Sequence, residues 1–315
     1  MAASRPNFFI VGGPKCGTTA LFTYLSRHPE VFVPPEFLEG FGKWEPCHFA
    51  TDLLPPEDRW RDRHHYLHYY RNGHGRRRLG DASVYHLVSS VAAENINAFD
   101  PQAKIIIMIR HPAEMIPSLH AQMVYNGDEP LEDIEEALAA EPDRLRGEHL
   151  PDGLRFSAML CYRRLASFSA QVSRYMTVFD PQQILVLDFA DFTAHTSACV
   201  MRTLEFLDLN PGEIPAHFDI VNPRKEVRSY WLHRLAHRPP TPIRRLAGVL
   251  LPRAMRAWGR RRLALINRHY NTVIRHKTGS PSPLQDRLRQ AFAPEVTALR
   301  ELTGLPLRTW SADGH

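Results

Sequence analysis

The chain has 315 residues, 43% of them hydrophobic, which is enough to bury a full core in one large α/β domain. The net charge of +5 favours anionic partners, but the arginine clusters come without any helix-turn-helix, zinc-finger or aromatic RNA-binding signature, which excludes specific nucleic-acid recognition. No stretch approaches about 18 apolar residues, no cleavable signal is visible, and the four cysteines lack metal-binding spacing, so we expect a cytoplasmic protein in a reducing compartment.

Residues 8–25 combine an apolar strand, a glycine-rich turn and the start of an amphipathic helix. Gly12 and Gly17 have the spacing of a nucleoside-triphosphate P-loop. Thr18, however, occupies the position of the P-loop lysine, and Lys15 lies inside the turn. Glycines let the backbone approach an anion, and the first amides of a helix point at it. The segment therefore predicts an anion site, with a tight strand-to-helix turn without a ligand as the alternative.

A second apolar strand, over residues 105–109, ends at Arg110 and is stopped by Pro112. Ser118 lies eight positions after Arg110, on the helix expected from about Ala113. Ligands of open α/β sheets gather at the carboxyl ends of the strands, so this motif and the first turn can face one crevice. The alternative is that Arg110 ends a strand beside solvent and that Ser118 is an ordinary surface residue.

The remaining signals alternate between helices and strands, which predicts a parallel sheet with crossover helices. The other expected elements are helices over 88–99, 156–175 and 196–207, a strand over 183–189, and a closing helix within 284–310. The acidic, proline-punctuated segment 129–153 is interpreted as a surface insertion. Residues 228–270 are basic and amphipathic, and they either pack on the core or make a peripheral membrane contact.

The turn around Lys15 resembles the 5′-phosphosulfate-binding loop of sulfotransferases that use 3′-phosphoadenosine 5′-phosphosulfate (PAPS) as donor. The resemblance implies that Lys15 reaches the oxygen between phosphate and sulfate, and that Thr18 and Thr19 hold the 5′-phosphate. The other members of this donor-binding loop are Pro14, Cys16 and Gly17.

Cys16 lies inside the expected anion loop, beside a lysine and just before a helix start. Both of these positive influences would lower the pKa of its thiol and make it sensitive to oxidation. The alternative is that Cys16 is only a small residue that fills the loop.

Arg110, Pro112 and Ser118 resemble the R-x-P signature and following serine with which sulfotransferases grip the 3′-phosphate of the donor. The resemblance gives Arg110 the part of a planar charged fork and Ser118 that of a hydroxyl donor. Farther on, residues 222–229 resemble a family loop that closes over the same phosphate. Its positive charges, which could also form a solvated face, are Arg224, Lys225 and Arg228.

Residues 42–53 resemble the K-E-P-H-[FY]-F segment of the sulfotransferase branch that includes the heparan sulfate enzymes and many bacterial homologues. The resemblance makes Glu45 the base that removes the acceptor proton, and His48 a second catalytic candidate. The alternatives are a solvated loop carboxylate and an ordinary interior or surface histidine. Trp44 and Cys47 replace the usual lysine and histidine, which leaves the acceptor open. A glutamate base works best when burial raises its pKa toward neutrality.

Residues 80–85 resemble the family's G-[ED]-x-[ST]-P-x-Y segment, which lines the acceptor pocket, with Val84 in place of the proline. Asp81 is therefore a further candidate for the base or for a carboxylate that orients the acceptor. The alternative role for Asp81 is a cap on the helix that follows.

Together the resemblances imply a P-loop-like central parallel sheet flanked by helices, in a single sulfotransferase domain over residues 1–315. Its core would span about 6–220, and 221–315 would hold the donor-closing loop and a helical C-terminal region. The implied activity is transfer of a sulfuryl group from PAPS to a hydroxyl, or less readily an amine, of a carbohydrate, lipid or natural product. Adenosine 3′,5′-bisphosphate would be the product, and no metal is expected because PAPS is already activated. The alternatives are a P-loop kinase and a noncatalytic nucleotide- or polyanion-binding protein.

Overall fold

The computed structural model describes residues 4–40, 45–213, 225–227, 272–274 and 282–310. The chain divides into two compact units. The first draws on residues 1–116, 155–222 and 281–315, and the second on 117–154 and 223–280. The turn around Lys15 and the strand end at Arg110 both belong to the first unit. The expectation of one domain over residues 1–315 stays a prediction.

The first unit is built on a five-stranded sheet. Its strands are β1 (Phe8–Ile10), β2 (Val31–Phe32), β3 (Arg78–Asp81), β4 (Lys104–Ile109) and β5 (Ile184–Asp188). Their order across the sheet is β2-β3-β1-β4-β5, and every neighbouring pair is parallel. All of β1 and Ile105–Ile109 of β4 are buried, as parallel strands with both faces covered require. The expected α/β fold, a central parallel sheet flanked by helices, is confirmed.

The helices are numbered along the chain. They are α1 (Thr18–Leu25), α2 (Pro35–Gly40), α3 (Arg63–His68), α4 (Ala92–Phe99), α5 (Pro112–Asn126), α6 (Ile134–Ala139), α7 (Glu141–Leu145), α8 (Tyr162–Ala166), α9 (Phe168–Val178), α10 (Phe189–Ala194), α11 (Thr196–Phe206), α12 (Pro283–Ala291) and α13 (Ala293–Thr303). The helix expected over 88–99 begins only at Ala92, after a turn in which Ser89 Oγ accepts hydrogen bonds from Val91 N at 3.3 Å and Ala92 N at 3.1 Å.

The helix expected over 156–175 is interrupted twice. A 3₁₀ turn covers Ser157–Leu160, and the backbone leaves helical geometry again at Ser167, between α8 and α9. At the second break Arg164 O accepts hydrogen bonds from Ser167 N at 3.3 Å and from Gln171 Nε2 at 2.7 Å, which satisfy this carbonyl at the helix end. The apolar periodicity therefore identified the buried face but not the breaks.

The sheet register brings three sequence motifs to one edge. Phe8 of β1 lies opposite Gly80 on one side and Lys104 on the other. Because all three strands run in the same direction, the turn after β1, the end of β3 at Asp81 and the end of β4 before Arg110 lie at their common carboxyl edge. This is the edge at which open α/β sheets bind ligands.

In the second unit, the segment expected as a surface insertion, 129–153, contains α6 and α7. Arg144 donates to both carboxylate oxygens of Glu129 at 2.7 Å, and both side chains are buried. Buried charges persist only when they are paired and hydrogen-bonded. The surface interpretation is therefore wrong for these two residues.

The other described part of the second unit is an antiparallel pair, β6 (Lys225–Val227) with β7 (Thr272–Ile274). The basic amphipathic region over 228–270 lies outside the described residues. Within the described ranges, none of the helices has the length and apolar character needed to span a membrane.

Candidate active site

The turn that follows β1 is fixed by the packing of its backbone against β4. Val11 N donates to Ile106 O at 3.0 Å. A Cβ atom at Gly12 would lie 2.1 Å from Met108 N, so no larger residue fits there without a backbone shift. The turn is therefore held close over the end of β4.

The turn leads into α1 with groups suited to an anion. Gly17 has a φ of 88° and begins α1 without a side-chain cap. The first N–H groups of α1 have no partner inside the helix, and the positive end of the helix dipole lies there. Lys15 sits in the turn with a φ of 63° and a partly exposed side chain. Thr18 is buried and Thr19 is partly exposed, and both lie in the first turn of α1.

Cys16 is fully buried and fills the turn. Its N–H donates to Gly13 O at 3.3 Å, and its thiol donates to Pro14 O at 3.4 Å. Burial raises the pKa of the thiol, and the positive charges of Arg110 and Lys15 offset only part of that rise. The expectation of a low-pKa, oxidation-sensitive cysteine is wrong, and the loop-filler alternative describes Cys16.

Arg110 lies directly against the turn. Its Nη1 donates to Lys15 O at 3.2 Å, and its Nη2 donates to Glu114 Oε2 at 3.1 Å. The guanidinium stacks over Phe189, 4.5 Å from the ring centroid, while Nε is buried without a hydrogen-bond partner among the described residues. The structure thus brings together the two motifs that the sequence analysis assigned to one crevice. The alternative of an arginine that merely meets solvent at a strand end is wrong.

The other expected donor-binding residues are less fully described. Ser118 lies in α5 and belongs to the second unit, so its place beside Arg110 stays a prediction. Arg224 and Arg228 lie outside the described residues, and Lys225 is described only as the first backbone position of β6.

Glu45 stands beside the segment that follows β3. Its Oε2 accepts a hydrogen bond from Val84 N at 3.1 Å. Burial raises the pKa of Glu45 to about 8; this hydrogen bond and the positive charge of Arg155 oppose the rise, and the negative charge of Asp81 adds to it. Glu45 is half-buried rather than exposed, and its carboxyl holds a proton more strongly than a solvated one, so the solvated-loop alternative is wrong.

The residues after Glu45 are anchored to the same part of the molecule. Cys47 has a φ of 53° and donates from its N–H to Ser83 Oγ at 3.0 Å. His48 stacks on Tyr66 with ring centroids 4.2 Å apart, and its Nδ1 is hydrogen-bonded to Trp60 O. Burial lowers the pKa of His48, so the ring is neutral at neutral pH. Its environment is that of a half-buried, packed histidine. The Trp44 departure lies outside the described residues.

Asp81 ends β3 as a buried carboxylate, with only 2% of its surface exposed. Its Oδ2 accepts hydrogen bonds from Tyr66 Oη at 2.8 Å and Tyr70 Oη at 3.3 Å. Its Oδ1 is buried and has no hydrogen-bond partner among the described residues. The short helical turn that follows has Ser83 at its N-terminus and no side-chain cap, so the capping alternative for Asp81 is wrong.

Arg155 is the main contributor to this region that sequence reasoning missed. Its Nη1 donates to Glu45 O at 2.8 Å, its Nη2 to Pro46 O at 2.9 Å, and its Nε to Asp58 Oδ2 at 2.9 Å. It lies 110 positions from Glu45 in the sequence, directly after the segment interpreted as an insertion. Nothing local to Arg155 signals these contacts. Across the described part of the chain, no three His, Cys, Asp or Glu side chains form a group that could hold a metal ion.

The parallel sheet and the glycine-rich turn after its first strand place the chain among α/β proteins with such a turn at the carboxyl edge of the sheet. The sequence model of the sulfotransferase family matches residues 6–212, and the chain belongs to this family. The resemblance drawn from the sequence motifs is confirmed at this level, and the protein is a transferase by family.

Individual relatives agree with the family. The chain is 23% identical to human carbohydrate sulfotransferase 15 over 256 residues, covering 65% of this chain and 44% of that protein. It is 24% identical over 223 residues to the bovine bifunctional heparan sulfate N-deacetylase/N-sulfotransferase 2, covering 65% of this chain and 22% of that protein. The chain thus spans less than half of the length of these two relatives. A sulfotransferase structure from Alicyclobacillus acidocaldarius matches 97% of this chain and 98% of its own, with a TM-score of 0.69 and 25% identity.

Proposed function

We propose that this protein transfers a sulfuryl group from PAPS to a hydroxyl, or less readily an amine, of a carbohydrate, lipid or natural-product acceptor. The observation that carries the proposal is the contact between Arg110 Nη1 and Lys15 O. It joins a planar cation to a lysine-containing turn at the start of a helix, which is a combination suited to an anion with more than one negatively charged group.

The chemistry of the groups around the turn supports a nucleotide donor with two phosphate ends. PAPS, when bound, supplies an activated sulfuryl group on its 5′-phosphate. Thr18, Thr19 and the first amides of α1 would hold the 5′-phosphate, and Lys15 would neutralise the negative charge that develops there. The buried Nε of Arg110 has no hydrogen-bond partner among the described residues, so it could donate to the 3′-phosphate once the nucleotide is bound.

Glu45 would act as the base that accepts the proton of the acceptor hydroxyl. Its Oε2 already accepts from Val84 N, so Oε1 is the atom that would take the proton. A pKa of about 8 makes the carboxylate a stronger base than a solvated one, yet leaves a useful fraction ionised near neutral pH. Asp81 would keep the role of a carboxylate that orients the acceptor.

The acceptor class and the location rest on two separate observations. The names of the relatives, a carbohydrate sulfotransferase and a heparan sulfate N-sulfotransferase, favour a carbohydrate acceptor. All four cysteines are free thiols in the structure, which supports the proposed cytoplasmic location.

The proposal is tested by calorimetry of adenosine 3′,5′-bisphosphate binding together with transfer of ³⁵S from PAPS to a library of acceptors. We expect micromolar or tighter binding and transfer to at least one member of the library. Binding without transfer to any acceptor would favour a noncatalytic nucleotide-binding protein, and turnover of ATP without sulfate transfer would favour a kinase.

A further inference from the structure

We infer that Arg155 is a positioning residue that fixes the backbone on which Glu45 is carried. The inference rests on the proposed role of Glu45 as the base. Arg155 does so with its two terminal nitrogens, which donate to the consecutive carbonyls of Glu45 and Pro46 at 2.8 and 2.9 Å. Its remaining donor, Nε, is held by Asp58 at 2.9 Å.

The segment that carries Glu45 needs such a contact because it lies in neither a helix nor a strand. Its carbonyls therefore have no regular backbone ladder to satisfy them, and a buried carbonyl without a donor is unfavourable. A guanidinium presents parallel N–H groups in a rigid plane, so it can fix two neighbouring carbonyls at once. A lysine at this position could supply a point charge but not the paired geometry.

Asp58 extends the same support to the far end of the segment. Its Oδ1 accepts a hydrogen bond from Trp60 N at 2.9 Å, and Trp60 O is hydrogen-bonded to His48 Nδ1. Arg155 holds one end of the segment and Trp60 the other, with Asp58 joined to both. Hydrogen bonds lower the pKa of Asp58 against the opposing effect of burial, so Asp58 stays ionised as the partner of Arg155.

Arg155 also sets part of the electrostatic environment of Glu45. The charged and titratable groups that act on or respond to Glu45 are Arg155, Asp81, Cys47 and Tyr69. Among the groups that shift the pKa of Glu45, Arg155 supplies the positive charge and Asp81 the negative charge. Removing Arg155 should therefore raise the pKa of Glu45 as well as loosen its backbone.

The test compares Arg155→Met and Arg155→Lys with Arg61→Met. Arg61 is a matched control because it also donates to loop carbonyls, at Thr51, Leu54 and Pro55, whereas the Glu45 carbonyl accepts its hydrogen bond from Arg155. The pKa of Glu45 is read by difference infrared titration against Glu45→Gln, and hydrogen exchange is followed at the amides of Cys47 and Phe49. Neither measurement requires PAPS or a sulfuryl acceptor.

We expect Arg155→Met to raise the pKa of Glu45 and to speed exchange at both amides by on the order of tenfold or more. Arg155→Lys keeps the charge, so the pKa should stay near the wild-type value while exchange still accelerates. If Arg155→Met does not fold, Arg155→Lys alone must show faster amide exchange together with an unchanged pKa of Glu45. An unshifted titration in the methionine variant, or exchange in either Arg155 variant no faster than in Arg61→Met, would overturn the inference.

A turnover measurement separates this inference from the proposed function. With an acceptor from the ³⁵S library, Arg155→Lys should lower kcat by roughly tenfold to a hundredfold while the Kd for adenosine 3′,5′-bisphosphate stays unchanged. If no acceptor is sulfated by the wild-type protein, the proposed function fails, and the titration and exchange results still decide whether Arg155 positions Glu45.

Discussion

The turn over residues 12–17 and the segment over 45–49 are both irregular, yet they are held in different ways. The turn is fixed by its own backbone, through the close approach of Gly12 to Met108 and the left-handed Gly17. The segment is fixed largely by side chains from elsewhere, such as Arg155 and the hydroxyl of Ser83. A site that is built from local backbone produces a compact motif in the sequence. A site that is held by side chains from distant positions produces no such local motif.

The two regions also differ in electrostatics. The turn offers positive groups to an anion, namely the start of α1, Lys15 and the guanidinium of Arg110. In the segment, burial raises the pKa of Glu45 to about 8, and the negative charge of Asp81 adds to that rise. The first environment suits an anionic donor, and the second suits proton removal from an acceptor.

Glu45→Gln is expected to have the largest effect on turnover and to leave the turn over residues 12–17 unaffected. Loss of a positioned base lowers kcat by about 10²- to 10⁴-fold. Binding of adenosine 3′,5′-bisphosphate should stay at the wild-type level, because Glu45 is not part of the turn. Steady-state ³⁵S transfer and calorimetry measure the two quantities. A parallel loss of nucleotide affinity would mean that the two regions are not separate.

Lys15→Ala is the corresponding change on the donor side. Removal of a group that neutralises charge on the leaving phosphate lowers kcat by about 10²- to 10³-fold, and it should weaken nucleotide binding much less. The same assays measure both quantities. A rate equal to that of the wild type would remove Lys15 from the chemistry.

The pH dependence of kcat/KM tests whether Glu45 is the base. Glu45 must be ionised to accept a proton, so kcat/KM should rise as the pH increases through about 8, by about tenfold between pH 7 and pH 9. Asp81→Asn removes a negative charge that raises the pKa of Glu45, and the rise should therefore move to lower pH. Profiles of the two proteins test this, and a rise at the same pH in both would show that Asp81 does not act on the base.

Most of the sheet could be predicted from the sequence because its central strands are continuous apolar runs, as in Ile105–Ile109. The edge strand β2 was missed because two residues, Val31 and Phe32, carry no periodic signal. The break at Ser167 was missed because the apolar spacing of a buried helical face continues across it, and the hydrogen bond from the Gln171 side chain to Arg164 O leaves no trace in that spacing.

The site was predictable to the extent that it lies directly after strands. Arg110 and Lys15 were expected at one crevice because each follows a predicted strand, and they meet because β1 and β4 are neighbours in the sheet. Arg155 could not be predicted because its partners lie far away in the sequence. The thiol of Cys16 was assigned the wrong pKa shift because nearby charge was weighed without the larger effect of complete burial.

The central claim is that Arg110 and the turn around Lys15 bind the two phosphate ends of one nucleotide. Calorimetry of adenosine 3′,5′-bisphosphate and of adenosine 5′-phosphate tests it, with Arg110→Ala beside the exposed control Arg71→Ala. We expect Arg110→Ala to weaken binding of the bisphosphate by roughly tenfold to a hundredfold and to leave the affinity for adenosine 5′-phosphate nearly unchanged. Arg71→Ala should leave the affinity for both nucleotides nearly unchanged. Equal losses for both nucleotides would contradict the account.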